Sequence, residues 1–141
     1  MLFRSEMNVN RSSVNVIKVD EEEAFALTGV NGIDALKKLE IETAILTSRN
    51  KTTMLHKEHI YEIKTEFIEA QDSTGIGDIF AGAYTCTFVK NNDVKWALSF
   101  GVAAAVTALK TNAMGISKIP AKKDVEGYAS MLHDTMKSMS V

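Results

Sequence analysis

The sequence is short of the features that mark whole classes of protein. Its 141 residues hold one cysteine, Cys86, and one proline, Pro120. A single thiol cannot close an internal disulfide, so a disulfide-stapled scaffold is excluded and a reducing, cytoplasmic setting is expected. With one proline there is no Pro-rich linker to divide the chain. No apolar run reaches the roughly 18–20 residues needed to span a bilayer. The opening Met1-Leu2-Phe3-Arg4-Ser5-Glu6 lacks the long apolar stretch of a signal peptide. Charge of one sign is also missing: 16 basic residues face 18 acidic ones, a net charge of −2. That balance excludes a general polyanion binder and predicts no nucleic-acid or membrane partner, while leaving room for a small phosphate ligand. No repeat, no low-complexity tract and no G-x-x-x-x-G-K-S/T phosphate loop occurs.

What is present is an ordinary globular composition, 45% hydrophobic and 24% charged, long enough for one domain with a sizeable core. Residues 1–13 are polar and aperiodic and read as a ragged start; residues 14–141 carry the domain. The β-branched run Val14–Val19 predicts a strand. Asp20 with Glu23 three residues on matches a capping box for a helix over Glu21–Thr28, which Gly29 ends. A second helix is expected over Ile33–Leu39. Strands follow at Thr43–Thr47, Thr52–His56 and Ile60–Lys64, the last two a hairpin turning at Lys57-Glu58. A long apolar helix runs from Asp78 to about Val89. Asp93 caps an alanine-rich helix, Val94 to about Leu109, whose composition predicts burial on most of its surface. A final amphipathic helix spans about Lys122 to Lys137. This β-α-α-β-β-β-α-α-α order predicts an α/β sheet covered by helices.

Several residues invite a bland reading. Cys86 falls within an apolar helix and reads as a buried small hydrophobe. Trp96 reads as core, His133 as surface, and Met131, Met136 and Met139 as packing of the last helix. His56 and His59 flank the hairpin turn without the further ligands zinc requires.

The stretch Asp72-Ser73-Thr74-Gly75-Ile76-Gly77-Asp78 carries chemistry. Two glycines flank Ile76 where a helix begins, so backbone can approach a ligand closely. The first turn of a helix offers unpaired N–H groups and partial positive charge, an anion site. Asp78 projects a carboxylate from the same turn. Beside bound phosphate a second negative group is repelled, unless its task is to take a proton from an attacking hydroxyl. The alternative, equally compatible with the spacing, is a glycine-rich N-cap with Asp78 merely favouring the helix dipole.

The run Asp72–Ala83 resembles the second signature of the pfkB family of carbohydrate kinases, D-T-T-G-A-G-D-x-F-x-G-A. Lys18–Ala24 with Leu27-Thr28-Gly29 is similar to the family's K-P-N-x-x-E-A…L-x-G. Ala44–Thr47 resembles the V-V-V-T strand before the nucleotide loop, and Phe100–Ala105 the alanine-rich helix at the adenine pocket. Met114-Gly115 to Ile119-Pro120 resembles the closing G-x-x-x-x-P stretch.

The resemblance implies a ribokinase-like three-layer α/β sandwich, of which the chain carries the C-terminal portion, a mixed sheet covered by helices. It implies ATP-dependent phosphorylation of a hydroxyl on a sugar or nucleoside, with ATP and Mg2+ as cofactors. Asp78 maps to the catalytic base, and Gly75, Ile76, Gly77 and Asp78 to the anion hole. Asp72 and Asp78 map to the acceptor site. Thr47, Arg49, Thr74, Ala104, Asn112 and Gly115 map to the nucleotide site, and Asp20 and Glu23 to magnesium. ATP is then expected between the 47–52 loop and the 103–115 region.

Four departures bear on that reading. Ile76 stands where alanine is usual, Asp20 where asparagine is usual, and Ser48–Thr52 replaces L-G-x-x-G, leaving Arg49 and Lys51 to meet phosphates. Family members are also roughly twice this length. A non-catalytic nucleotide-binding or interaction module therefore stays open, as does self-association through a bared sheet edge.

Overall fold

The computed structural model describes residues 15–66, 75–111 and 119–141. They form two compact units, one of residues up to 64 together with 137–141, the other of residues 65–136. The expected start at Val14 and the aperiodic residues 1–13 lie outside the described residues.

The first unit is a mixed five-stranded sheet with two helices. Strand β1 (Val16–Asp20) lies parallel to β2 (Thr43–Thr47), with Asp20 level with Thr47. Parallel neighbours need a crossover, supplied here by α1 (Glu21–Thr28) and α2 (Gly32–Leu39). The expected capping box is formed: Asp20 Oδ1 accepts from the Glu23 amide at 2.8 Å, and Glu23 Oε1 accepts from the Asp20 amide at 3.0 Å. Gly29 ends α1 in the left-handed region at φ 77°, its N–H donating to Phe25 O at 2.8 Å. Strands β3 (Lys51–His56) and β4 (His59–Lys64) form the hairpin on Lys57-Glu58, and β3 lies antiparallel to both β2 and β4. Ile17 and Val19 from β1, Ala44 and Leu46 from β2, and Ala35 and Leu36 from α2 share one buried cluster. On the opposite face of the sheet Ile45, Met54 and Ile63 are fully buried, and β2, buried on both faces, carries the apolar run Ala44-Ile45-Leu46.

The second unit holds α3 (Ile76–Asn91), α4 (Val94–Lys110) and α5 (Lys122–Thr135). Asp93 caps α4 as expected, accepting from the amides of Lys95 at 3.0 Å and Trp96 at 3.2 Å. Helix α4 is buried along most of its length. Its Gly101 sits against α3: a Cβ there would meet the Phe80 ring and the Phe80 carbonyl oxygen, each at 3.3 Å. Helix α5 buries Val125, Ala129 and Leu132, a stripe at helical spacing.

Several expectations need correction. The last helix stops at Thr135, and residues Lys137–Ser140 form a further strand, β5, antiparallel to β4. Lys-Ser-Met-Ser has no strand signature of its own; the open edge of β4 recruits it, and the Val141 amide extends the ladder to Glu58 O at 2.8 Å. Met139 therefore lies on β5, and Met131 and Met139 are both about half exposed, not packing α5. Cys86 is exposed rather than buried. Helix α3 buries Phe80, Tyr84 and Thr87, and Cys86 points away from that stripe. Trp96 and His133 are both intermediate, because their rings meet edge to face with centroids 5.9 Å apart.

His59 is exposed, whereas His56 is half-buried and its Nδ1 lies 2.8 Å from the Thr43 hydroxyl. Burial holds the His56 pKa below its ordinary value; Glu42 opposes this, while Lys57 and His59 add to it. The folded state thus favours the neutral ring. The stability this contributes is present above the ordinary histidine pKa and is lost as pH falls through the lowered one.

Two predictions follow from the packing. The NMR titration midpoint of His56 should fall below about 6.5, the unperturbed histidine value, and His56→Gln should flatten the acid limb of the stability profile. Gly101→Leu should lower stability by about 1–3 kcal/mol in a thermal or urea melt, since the Phe80 backbone cannot recede.

Candidate functional site

Sequence-predicted site residues gather in two places. In the first unit, Asp20, Glu23, Thr47 and Arg49 all lie at or just beyond the carboxyl ends of parallel β1 and β2, where open α/β sheets place ligands. The Thr47 hydroxyl donates to Val19 O at 3.5 Å, a long contact. Arg49 is exposed in the short turn between β2 and β3, which Ser48 N closes on Lys51 O at 2.8 Å. A β-turn is short enough here to dispense with the glycines of a longer loop. Lys51 Nζ lies 3.7 Å from Glu62 Oε2, so the phosphate contact expected of it competes with an ion pair.

Asp20 and Glu23 are exposed, and each uses one carboxylate oxygen in the capping box. Magnesium keeps several waters and takes one or two carboxylates plus substrate phosphates. A pair of solvent-facing carboxylates with one oxygen each in the cap fits that demand, and fits water-mediated contact best. Among the described residues no group of three His, Cys, Asp or Glu side chains could hold a metal by itself.

In the second unit, Gly75 is the N-cap of α3, in the left-handed region at φ 81°. A residue with a Cβ would be strained there. Glycine has no side chain to cap the first-turn amides, in contrast to Asp20 on α1 and Asp93 on α4. Ile76 and Gly77 are half-buried and Asp78 is exposed. Asp78 lines a cavity of about 620 Å³ bounded by α3, α4 and the start of α5. Ala104, expected at the nucleotide, is on its wall. Asp72, Thr74, Asn112 and Gly115 lie outside the described residues.

The cavity also holds Phe100, from the stretch likened to the adenine-pocket helix, and three residues that the sequence reading did not place at a site: Trp96, Lys90 and Lys122. A signal existed. Asp78, Gly82, Cys86 and Lys90 recur every four residues on α3, and Trp96, Phe100 and Ala104 do so on α4, so each set shares a helix face.

The model of the pfkB family carbohydrate kinases matches residues 3–122. The chain belongs to this family. Solved structures share its fold. A ribokinase from Thermotoga maritima is 23% identical with a TM-score of 0.75, over 88% of this chain and 46% of that one. A ribokinase from Arabidopsis thaliana, in complex with ribose and ATP, is 22% identical with a TM-score of 0.66, over 84% and 42%. A pyridoxal kinase of Entamoeba histolytica with PLP is 20% identical with a TM-score of 0.67, over 93% and 51%. The fold is therefore the ribokinase-like α/β fold, in part: this pfkB-family chain spans about half the length of those kinases. Among the described residues no helix is long and apolar enough to cross a membrane.

The capping box separates two roles of Asp20. Asp20→Ala should cost about 0.5–2 kcal/mol of stability, whereas Asp20→Asn, an equally good cap, should melt like the wild type. A loss of stability in Asp20→Asn would show that its charge, and not its cap, matters to the fold.

Proposed function

We propose that the protein carrying this chain is a kinase that moves the γ-phosphoryl group of ATP to a hydroxyl of a sugar or nucleoside, with Asp78 as the base. The observation that carries this is the placement of Asp78: a carboxylate in the first turn of a glycine-opened helix, facing a cavity. Family membership supports the reaction class, since pfkB kinases are phosphotransferases. The ATP and ribose bound to the Arabidopsis thaliana ribokinase support the choice of donor and of acceptor type.

In this reading the Asp78 carboxylate accepts the proton of the acceptor hydroxyl as its oxygen attacks the γ-phosphorus. The bond from that phosphorus to the β,γ-bridging oxygen breaks, and ADP leaves. The amides of Gly75, Ile76 and Gly77, aided by the helix dipole, stabilise charge on the transferring group. The contribution is positioning and electrostatics more than covalent chemistry. Magnesium, when bound, would supply positive charge to offset that of the nucleotide phosphates. Glu23, through water, and Asp20 would hold it. Thr47, Arg49 and Ala104 are proposed for the nucleotide, as are Thr74, Asn112 and Gly115. Asp72 joins Asp78 on the acceptor.

Asp78→Asn keeps the shape and removes the base. In the gene product that carries this chain, kcat against a panel of sugars and nucleosides should fall on the order of 100- to 10,000-fold. ATP affinity by calorimetry should stay within a few-fold of wild type. A turnover number that does not change would take Asp78 out of this role.

A further inference from the structure

The hairpin tip of the first unit carries two of the chain's three histidines. In sequence His56 and His59 are three apart; strand pairing sets them directly opposite each other on one face of β3 and β4. Such cross-strand neighbours hold their Cβ atoms roughly 4.5–5.5 Å apart. Thr43 of β2 is the next residue in that row, level with His56. The His56 Nδ1 lies 2.8 Å from the Thr43 hydroxyl. A hydroxyl accepts as well as donates, so the ring can donate Nδ1–H to it and keep the Nε2 lone pair for a ligand. Metal-bound histidines are oriented in this way, through their other ring nitrogen. The tip is held to β2 by backbone: the Lys57 N–H donates to Glu42 O at 2.9 Å. Of the charges near His56, Glu42 favours a cation and Lys57 opposes one, and these two face each other at 4.0 Å. His59 is exposed and His56 half-buried, so an ion from solvent can reach the pair.

We propose that His56 and His59 together bind a divalent transition-metal cation of the copper, nickel or zinc class. Imidazole nitrogen selects these ions, whereas magnesium prefers oxygen ligands. The pair is therefore chemically unlike the Asp20 and Glu23 carboxylates. It differs in place as well: Thr43 begins β2 and Thr47 ends it, so the histidines and the proposed nucleotide residues lie at opposite ends of the sheet. Among the described residues no third His, Cys, Asp or Glu side chain joins the pair. Water completes the coordination, which makes this an exchangeable site and not a structural zinc cage of four protein ligands. A bound ion would tie β3 to β4 at the tip and adjoin β5, whose Ser140 is level with His59. The inference uses neither Asp78 nor the nucleotide and stands apart from the proposed reaction.

The test is a calorimetric titration with NiCl2 of the gene product that carries this chain, made without a histidine tag. Nickel should bind saturably, and excess MgCl2 should not displace it. His56→Gln and His59→Gln should each weaken binding by at least about tenfold, because the second imidazole acts at high effective concentration once the first is bound. His59 is exposed, so His59→Gln keeps the test decisive even where His56→Gln melts early. In NMR spectra ZnCl2 should shift the ring signals of His56 and His59 together and leave those of His133 where they are. Absence of saturable binding, displacement of nickel by magnesium, or an affinity unchanged in His59→Gln would overturn the inference. So would ring signals of His56 and His59 that do not move together.

Discussion

Parallel pairing of β1 with β2 is the constraint from which the first unit follows. Two parallel strands cannot be joined by a tight turn, so the chain must leave the sheet and return. It does so through α1 and α2, whose inner residues close over Ile17, Val19, Ala44 and Leu46. The pairing sets Asp20 level with Thr47 and brings the carboxyl ends of both strands together. Asp20, Glu23, Thr47 and Arg49 then share one end of the sheet although 29 residues separate the first from the last. The capping box belongs to the same arrangement. It stops β1 at Asp20 and starts α1 at Glu21, so the two candidate magnesium carboxylates are held by the turn that makes the crossover.

The second unit depends on close approach. Gly101 lets α4 reach the Phe80 ring and backbone, and this contact fixes which stripe of α3 is buried. The rings of Phe80, Tyr84 and Phe88 follow one another along that side, with centroids 6.4 and 6.2 Å apart. The rotation of α3 about its axis decides where Asp78 points. With Phe80 facing α4, Asp78 lies about 200° round the helix from that contact and lines the cavity. Packing within one helical turn thereby sets the direction of the proposed base.

Gly75 is the local counterpart of this. It starts α3 in the left-handed region and leaves the first-turn amides without a side-chain cap. On α1 and α4 the same orphan amides are met by Asp20 and Asp93, whereas α2 and α5 also start without a side-chain cap. At φ 81° a Ser or Asp would be strained, so glycine holds this position and no side chain caps the start of α3. An uncapped start suits the proposed anion site, because a capping side chain would occupy the place of the anion.

Much of this was legible from residue order, and the reason is that it is local. Capping at Asp20 and Asp93, the stop at Gly29, the hairpin at Lys57-Glu58 and the glycines around Ile76 are set within four residues of chain. The motif from Asp72 to Ala83 pointed to a kinase family that the match over residues 3–122 establishes. What the tertiary structure decided is direction and long-range partnership. An apolar helix has no inside until a neighbour chooses one, so Cys86 and Trp96 were assigned to a core they do not join. Lys137–Ser140 is a strand because β4, more than seventy residues earlier, offers an unpaired edge; nothing in its own four side chains demands it.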